Sequence, residues 1–389
     1  MDKELLAKLS AVALNSIFGY EPKFSHRIID ALGSAEAVFA LSEDEKRNVF
    51  GPYSKYLPLI SGDSLEKART QYEHLTAEGY QIISLYDDEY PSLLRECEDA
   101  PMVLYVRSDT PAKDIFNKAP CISVVGTRDI SLYGKEWCRR IVGASALAPS
   151  RPDIVSGFAI GVDITAHLAA LDEGLGTIAV LPVGIDDVYP RRHSLVAQRL
   201  AGTPGCALVT DYPPGTCATA FNFLRRNRII AGMSQATILI ESKIKGGGMM
   251  TARLASDYGR EVFALPGRID DIRSAGCNLL LREKVAEPVT SLDGLGEALG
   301  LGTFGRRKTA DILTGIERRY RGTVPDSDVE TMRTMAALIK KERGITIDGI
   351  CASLDAGYGD VARLVVIMEN DGIISTDLLQ RCSINPKNY

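Results

Sequence analysis

Four consecutive residues, Arg225-Arg226-Asn227-Arg228, put three guanidinium groups and a carboxamide into about one turn of chain. A guanidinium fork matches phosphate oxygens two at a time, so the run points to anion binding. Its pattern places it at or near the start of a helix over 223–232. Cations there oppose the helix dipole and are poorly explained as helix stabilisers. A second candidate is Lys243-Ile244-Lys245-Gly246-Gly247-Gly248. Three glycines between lysines and a helix start make a backbone nest for phosphate. The Gly-Lys-Ser/Thr ending of a Walker A loop is missing, and GxGxxG is absent from this loop, so an ordinary dinucleotide site has little support. A third candidate is Gly126-Thr127-Arg128, where glycine allows close backbone approach beside a cation. A tight turn with a solvated arginine accounts for that motif equally well.

Other turns carry unusual residues. Ser156-Gly157-Phe158-Ala159-Ile160-Gly161-Val162-Asp163 offers Gly157 and Gly161 to a loop whose amides face an anion, with Asp163 as a helix cap. His167 follows one turn later. No carboxylate–histidine–nucleophile set accompanies it, so a hydrogen-bonded structural role is the expectation. Tyr189-Pro190-Arg191-Arg192-His193 could supply phosphate and base contacts, or could be a solvated loop. Asp163 and Glu241 are the carboxylates that could serve catalysis. From Phe221 to Arg273 there are nine basic and five acidic residues, a local excess of +4 in a chain of net charge −5. A locally basic crevice in an acidic protein can hold a polyanion.

The elements that must position these residues read in three parts. Residues 1–80 form short helices, a small N-terminal domain. Residues 81–297 alternate apolar strands with helices, which predicts a mostly parallel sheet covered on both faces, a doubly wound α/β domain. In such sheets ligands sit beyond the carboxyl ends of the strands, where the turns above fall. Residues 298–328 are polar, include Arg306-Arg307-Lys308, and read as a linker. Residues 329–389 suit a compact helix-turn-helix or winged-helix module.

The 389 residues, 45% of them hydrophobic and 24% charged, suit a globular protein of two or three domains. No apolar run of about 18 residues suggests a membrane span, and the first residues lack a signal-peptide layout, so a cytoplasmic protein without a membrane partner is expected. The eight cysteines form no CxxC pair, and no histidine cluster has ligand spacing, so buried thiols are expected, with no metal or other cofactor.

The ordered set Val125-Gly126-Thr127-Arg128, Ser156–Asp163 with His167, Gly184–Pro190 with His193, Tyr212-Pro213-Pro214-Gly215, Arg226–Gly232, Gly247 with Thr251-Ala252, and Leu265-Pro266-Gly267 resembles the DNA-processing protein A (DprA/Smf) family. The resemblance is strong over about 120–290 and looser before it. It implies an extended Rossmann fold with a sterile-alpha-motif-like N-terminal domain and a winged-helix C-terminal domain. It also implies a homodimer that is not an enzyme. Such a protein binds single-stranded DNA independently of sequence and loads RecA recombinase onto it in natural transformation. The resemblance implies DNA contacts from Arg128, Arg226, Arg228, Lys243 and Lys245; with the turns read above, the expected DNA-binding set is Gly126, Thr127, Arg128, Ser156, Gly157, Gly161, Arg225, Arg226, Asn227, Arg228, Lys243, Lys245, Gly246, Gly247, Gly248 and Thr251. Departures include Thr210-Asp211 where the family has Ser-Glu, Gly246-Gly247-Gly248 for Ser-Gly-Ser, Leu224 for a proline, and Lys284-Val285-Ala286 near the domain end. A nucleotide sensor or a nucleoside monophosphate hydrolase on a related Rossmann domain is the alternative. The C-terminal module shows no dense basic recognition helix, so a protein-contact role suits it at least as well as duplex reading.

Overall fold

A computed structural model of the chain describes residues 3–19, 21–304, 312–342 and 344–384. The cationic run Arg306-Arg307-Lys308 lies outside these residues, as do Arg343 and Lys387. Residues 1–305 form one compact unit and 306–389 another.

The first unit is built on a nine-stranded sheet. In chain order its strands are β1 (Gln81–Ser84), β2 (Val103–Arg107), β3 (Cys121–Val125), β4 (Asp153–Ser156), β5 (Thr177–Val180), β6 (Ala207–Thr210), β7 (Ala236–Leu239), β8 (Glu261–Ala264) and β9 (Glu287–Pro288). Their spatial order is β1-β2-β6-β5-β4-β3-β7-β8-β9. The β1–β2 and β2–β6 pairs are antiparallel, and all the others are parallel. The central strands are buried on both faces, which is why they read as continuous apolar runs. From β3 the chain winds one way through β4, β5 and β6, then returns to the other side of β3 as β7. The switch point therefore lies between β3 and β7, and a sheet wound this way has its ligand crevice there, beyond the strand ends. Inside the sheet these two strands also share a buried hydroxyl pair, Ser123 Oγ to Thr237 Oγ1 at 2.7 Å.

Among the described residues five α-helices precede the sheet: Lys3–Phe18, Pro22–Leu32, Ala35–Ala40, Glu43–Phe50 and Gly62–Ala77. Local chemistry sets their ends. Pro22 opens the second, Gly33 at φ +85° closes it, and Ser42 with Glu45 forms a reciprocal capping box on the fourth. These helices do not stand apart as a separate domain over 1–80. Leu14, Phe18 and Leu75 share one apolar cluster with Tyr105 of β2 and Leu208 of β6. Asn15 Nδ2 also donates to the carbonyl of Asp211 at 2.8 Å. Each such buried large side chain is worth about 1.5–3 kcal/mol, so the helical region and the sheet fold onto a common core.

The expected linker over 298–328 is also redrawn. Leu299, Leu301 and Phe304 are buried against the first unit's core, while Ile312, Ile316 and Tyr320 belong to the core of the second. Apolar residues spaced within a polar stretch carried that information. The second unit contains the helices Ile312–Tyr320, Asp326–Lys341, Ile347–Leu354 and Tyr358–Asn370, then the antiparallel hairpin of β10 (Ile374–Thr376) and β11 (Cys382–Ile384). Helices followed by a short hairpin is the element order of a winged-helix module. Cys97, Cys138, Cys206, Cys277 and Cys382 are buried free thiols, Cys121 and Cys351 are half-buried, and Cys217 is exposed. Among the described residues no helix is long and apolar enough to cross a membrane, and no acidic, histidine or cysteine cluster could hold a metal ion.

Candidate nucleic-acid interface

Three loops are laced together at the switch point: 126–131 after β3, 157–163 after β4 and 241–248 after β7. Thr127 N donates to the carbonyl of Glu241 at 2.7 Å, and Val162 N donates to the carbonyl of Thr127 at 3.1 Å. Glycines make this lacing possible. A Cβ on Gly126 would sit 2.6 Å from Val162 Cγ2, and one on Gly161, at φ +89°, would sit 2.2 Å from the Thr127 carbonyl. A Cβ on Gly157 would lie 2.2 Å from Arg226 Nη1, and one on Gly248 would lie 3.0 Å from Gly126 Cα. Beside the expectation that Gly157 and Gly161 turn their amides to an anion, the structure adds a packing reason for both glycines. They let loop backbone and a buried arginine approach where no side chain fits.

The arginine run is the main correction. Its helix begins at Ala220, capped by the Thr219 side chain on Asn222 N, and ends at Gly232. Arg225–Arg228 therefore lie in its middle, and the argument from an opposed N-terminal dipole does not apply. Arg226 is 3% exposed. Its Nη1 donates to the Gly157 carbonyl at 2.5 Å and to the Val180 carbonyl, tying the ends of β4 and β5 together. Burial pushes its guanidinium down to about 10, so it still carries its charge at neutral pH. Arg228 is equally buried, with Nη2 donating to Asp211 Oδ2 at 2.5 Å and Nη1 to the Asp99 carbonyl. Arg225 lies 3.7 Å from the same Asp211 carboxylate and over the Tyr212 ring. Asn227 is buried as well. Arg226 and Arg228 thus act as struts with carbonyl and carboxylate partners, not as groups held out to a phosphate.

The local charge excess thins further. Arg253 pairs with Glu283, Arg260 with Glu96, Arg268 with Asp270 and Arg273 with Asp271. The cations that remain exposed around the crevice are Arg128, Arg191, Arg192, Lys243 and Lys245. Gly246 precedes the helix Gly247–Asp257, and Lys243 and Lys245 lie just before it in the chain; Met249 N already donates to the Gly246 carbonyl at 3.2 Å, which leaves the amides of Gly247 and Gly248 as the ones beyond intrahelical reach. Thr251 is buried, and its hydroxyl donates back to the Gly247 carbonyl at 3.4 Å. Ser156 is buried too and donates to the Val124 carbonyl at 2.6 Å. Neither hydroxyl is presented to a ligand.

The carboxylates and histidines have structural partners. Glu241 is 1% exposed and receives both the backbone N–H of Ser131, at 2.8 Å, and the Ser131 hydroxyl. Its carboxyl lies at the start of the helix Leu132–Ser145, where the dipole favours an acidic residue. Asp163 accepts from Ala159 N at 3.3 Å. Burial pushes its carboxyl up, and the charge of Arg226 pulls it part of the way back. His167 Nδ1 lies 2.7 Å from Thr177 Oγ1. That hydroxyl spends its proton on the Ile154 carbonyl, so the imidazole carries its hydrogen on Nδ1. Burial, reinforced by Arg226, pushes His167 down to about 3, which keeps it neutral. His193 Nδ1 meets the Phe158 carbonyl at 3.0 Å, and the Phe158 ring is wedged between the two imidazoles.

Sequence reasoning named Tyr189 as a possible base contact but missed the aromatic platform it belongs to. Arg128 is exposed and lays its guanidinium 4.7 Å from the centroid of Phe223, whose ring meets Tyr189 edge-on at 5.2 Å. Phe221 and Leu224 on the same helix are exposed large apolar groups. Their signal in the sequence was an apolar cluster at the first turn of a helix whose buried side is already filled by Ile229 and Ile230.

Fold and site together define an extended Rossmann-type domain with an exposed, aromatic-backed cation at its switch point. Within that class the chain belongs to the DprA/Smf family: residues 81–300 match the family model for DNA recombination-mediator protein A. The chain is 31% identical to protein Smf of Synechocystis over 317 residues, covering 76% of this chain and 78% of the relative. It is 34% identical to the putative DNA processing protein DprA of Mycobacterium tuberculosis over 289 residues, covering 70% and 72%. The solved structure of DNA processing protein A from Streptococcus pneumoniae superposes with a TM-score of 0.63 at 26% identity, over 77% of this chain and 98% of that one. That of the Helicobacter pylori protein, described for its single-stranded DNA binding mode, gives 0.50 at 29% identity, over 57% and 95%.

Proposed function

We propose that this chain binds single-stranded DNA, without reading its sequence, in the crevice at the β3–β7 switch point. The observation that carries this reading is Arg128 resting on Phe223 with Tyr189 beside it. A fixed cation can hold a phosphate while the adjoining aromatic faces accept bases, and every base has a face to stack. Lys243, Lys245 and the first amides of the following helix extend the phosphate-holding edge. The relatives' names, DNA processing protein among them, and the single-stranded DNA described for the Helicobacter pylori structure support the choice of ligand.

In this reading the protein works as a homodimer that holds a strand and loads a RecA-type recombinase onto it during transformation or recombination. It acts by binding, not turnover. Glu241 and Asp163 are both committed to backbone or hydroxyl donors, and His167 is sealed in the core, so none of these three is poised as a general base. The test is a gel-shift or anisotropy titration with oligo-dT, alongside hydrolysis assays on nucleoside monophosphates. Tight oligo-dT binding that Arg128→Ala weakens about tenfold or more supports the reading. Monophosphate turnover without strand binding would replace it with the nucleotide-enzyme alternative.

A further inference from the structure

The helix Ala220–Gly232 has a second flank. Phe223 faces Arg128, whereas Phe221, Leu224 and Arg225 share the i, i+3 and i, i+4 spacing that aligns them on another side. Beyond Arg225 the surface falls into a cleft of about 380 Å3 shared with the start of the helix Pro22–Leu32. Its basic groups are Lys23, Arg27, Arg225 and Arg228, and its acidic ones are Glu21 and Asp99. Both acids are engaged. Glu21 accepts from Lys55 Nζ at 2.7 Å and from the Tyr56 hydroxyl at 2.5 Å, and Asp99 accepts from the Tyr258 hydroxyl at 2.7 Å. Arg27 is exposed and carries no ion pair or side-chain hydrogen bond among the described residues. Lys23 meets Glu98 at 2.6 Å, but both side chains are largely in solvent, so that bridge opens at little cost. Phe24 lines the same cleft, its ring stacked on Tyr56 with centroids 5.5 Å apart.

We propose that this cleft is a second segment of the single-stranded DNA path. The strand leaves the Arg128–Phe223 crevice and crosses the helix start over Phe221 and Leu224. Its phosphates then lie beside Lys23 and Arg27, with Phe24 as the neighbouring aromatic surface. The helix rises 1.5 Å per residue, so positions 221 to 228 span only about 10 Å, and one flexible strand bridges the two segments without a gap. The proposal rests on the function above and extends it to the N-terminal helices. A flexible polyanion fits better than a small phosphate ligand, because the cleft is open and its available cations stand at the rim. Several weak contacts in series, with apolar faces between them, are how unstructured strands are held.

The experiment compares the full-length protein with its Lys23→Ala/Arg27→Ala and Arg128→Ala variants on three probes. These are a long oligo-dT, an oligo-dT of about 6 nucleotides that fills only one segment, and dTMP. The expected result is that the double variant binds the long strand about tenfold more weakly, with the slope of log K against log salt shallower by about 1.4. It should bind the short strand as the unaltered protein does, while Arg128→Ala weakens both. Unchanged long-strand binding in the double variant, with Arg128→Ala still impaired, overturns the second segment and leaves the crevice intact. Loss of dTMP binding alone in the double variant also overturns it, making the cleft a small-anion site. Full binding of both strands by Arg128→Ala overturns the crevice, and the extension with it.

Discussion

The Arg128 guanidinium lies 4.7 Å from the centroid of the Phe223 ring, and through it the turn after β3 is joined to the helix Ala220–Gly232. Sheet order puts the two residues on one crevice edge although 94 positions separate them in the sequence. Charge and ring should then contribute differently to DNA binding. Arg128→Ala should weaken oligo-dT binding and flatten its salt dependence by about 0.7 in slope, the share of one phosphate contact on a single strand. Phe223→Ala should cost about 1–3 kcal/mol of binding while leaving the slope largely unchanged. Salt-titrated anisotropy separates the two.

Lys243 and Lys245 are exposed beside the start of the helix Gly247–Asp257. Replacing both with alanine should reduce the salt slope by about 1.4 and leave the unfolding free energy within about 0.5 kcal/mol of the unaltered protein. An unchanged slope in the folded double variant would remove this loop from the binding edge.

Arg226 should behave oppositely. Arg226→Met leaves the Gly157 and Val180 carbonyls buried without their donor, at a cost of about 1–3 kcal/mol for each such group. Urea denaturation should show a clear fall in midpoint, and the loss of DNA binding should follow the loss of folded protein. Gly157→Ala should act on the same contact from the other side, because its Cβ would meet Arg226 Nη1 at 2.2 Å. A fully stable Arg226→Met that has lost DNA binding would return Arg226 to the ligand-contacting set.

This residue marks the boundary of what the chain's order of letters makes legible. The alternation of apolar strands and helices, the parallel sheet and the gathering of glycine turns at its carboxyl edge are local patterns, and they read correctly. The fate of Arg226 and Arg228 is not local. Their partners, Val180, Asp99 and Asp211, come from distant strands and loops, and a buried guanidinium looks the same in sequence as an exposed one. The sequence pattern also starts their helix at 223, three residues late, because the cap at Thr219 precedes an apolar stretch that reads as part of the turn. The glycines at 157 and 161 stand out in the sequence as loop residues, but the room they give Thr127 and Arg226 is visible only in the fold.

His167 makes a prediction in pH. Its pKa is depressed in the folded state, to about 3, and sits near 6.5 when unfolded, so the unfolded chain binds one more proton between those values. Its contribution to stability is present above about pH 6.5 and is lost as pH falls toward 3, at up to about 1.4 kcal/mol per pH unit. Urea midpoints measured from pH 7 down to 4 should fall more steeply for the unaltered protein than for a folded His167→Leu variant. Equal slopes would mean that the imidazole is not sealed in the core.

In the proposed function Arg128 is the exposed cation of a single-strand binding crevice. The most direct test of this is the affinity of unaltered protein and Arg128→Ala for oligo-dT and for a duplex of equal length, over a range of salt. The prediction is a preference for the single strand, a linear fall of log K with log salt, and a loss of about tenfold or more with a shallower slope in the variant. Equal affinity of the folded variant for oligo-dT, at every salt concentration, would contradict it.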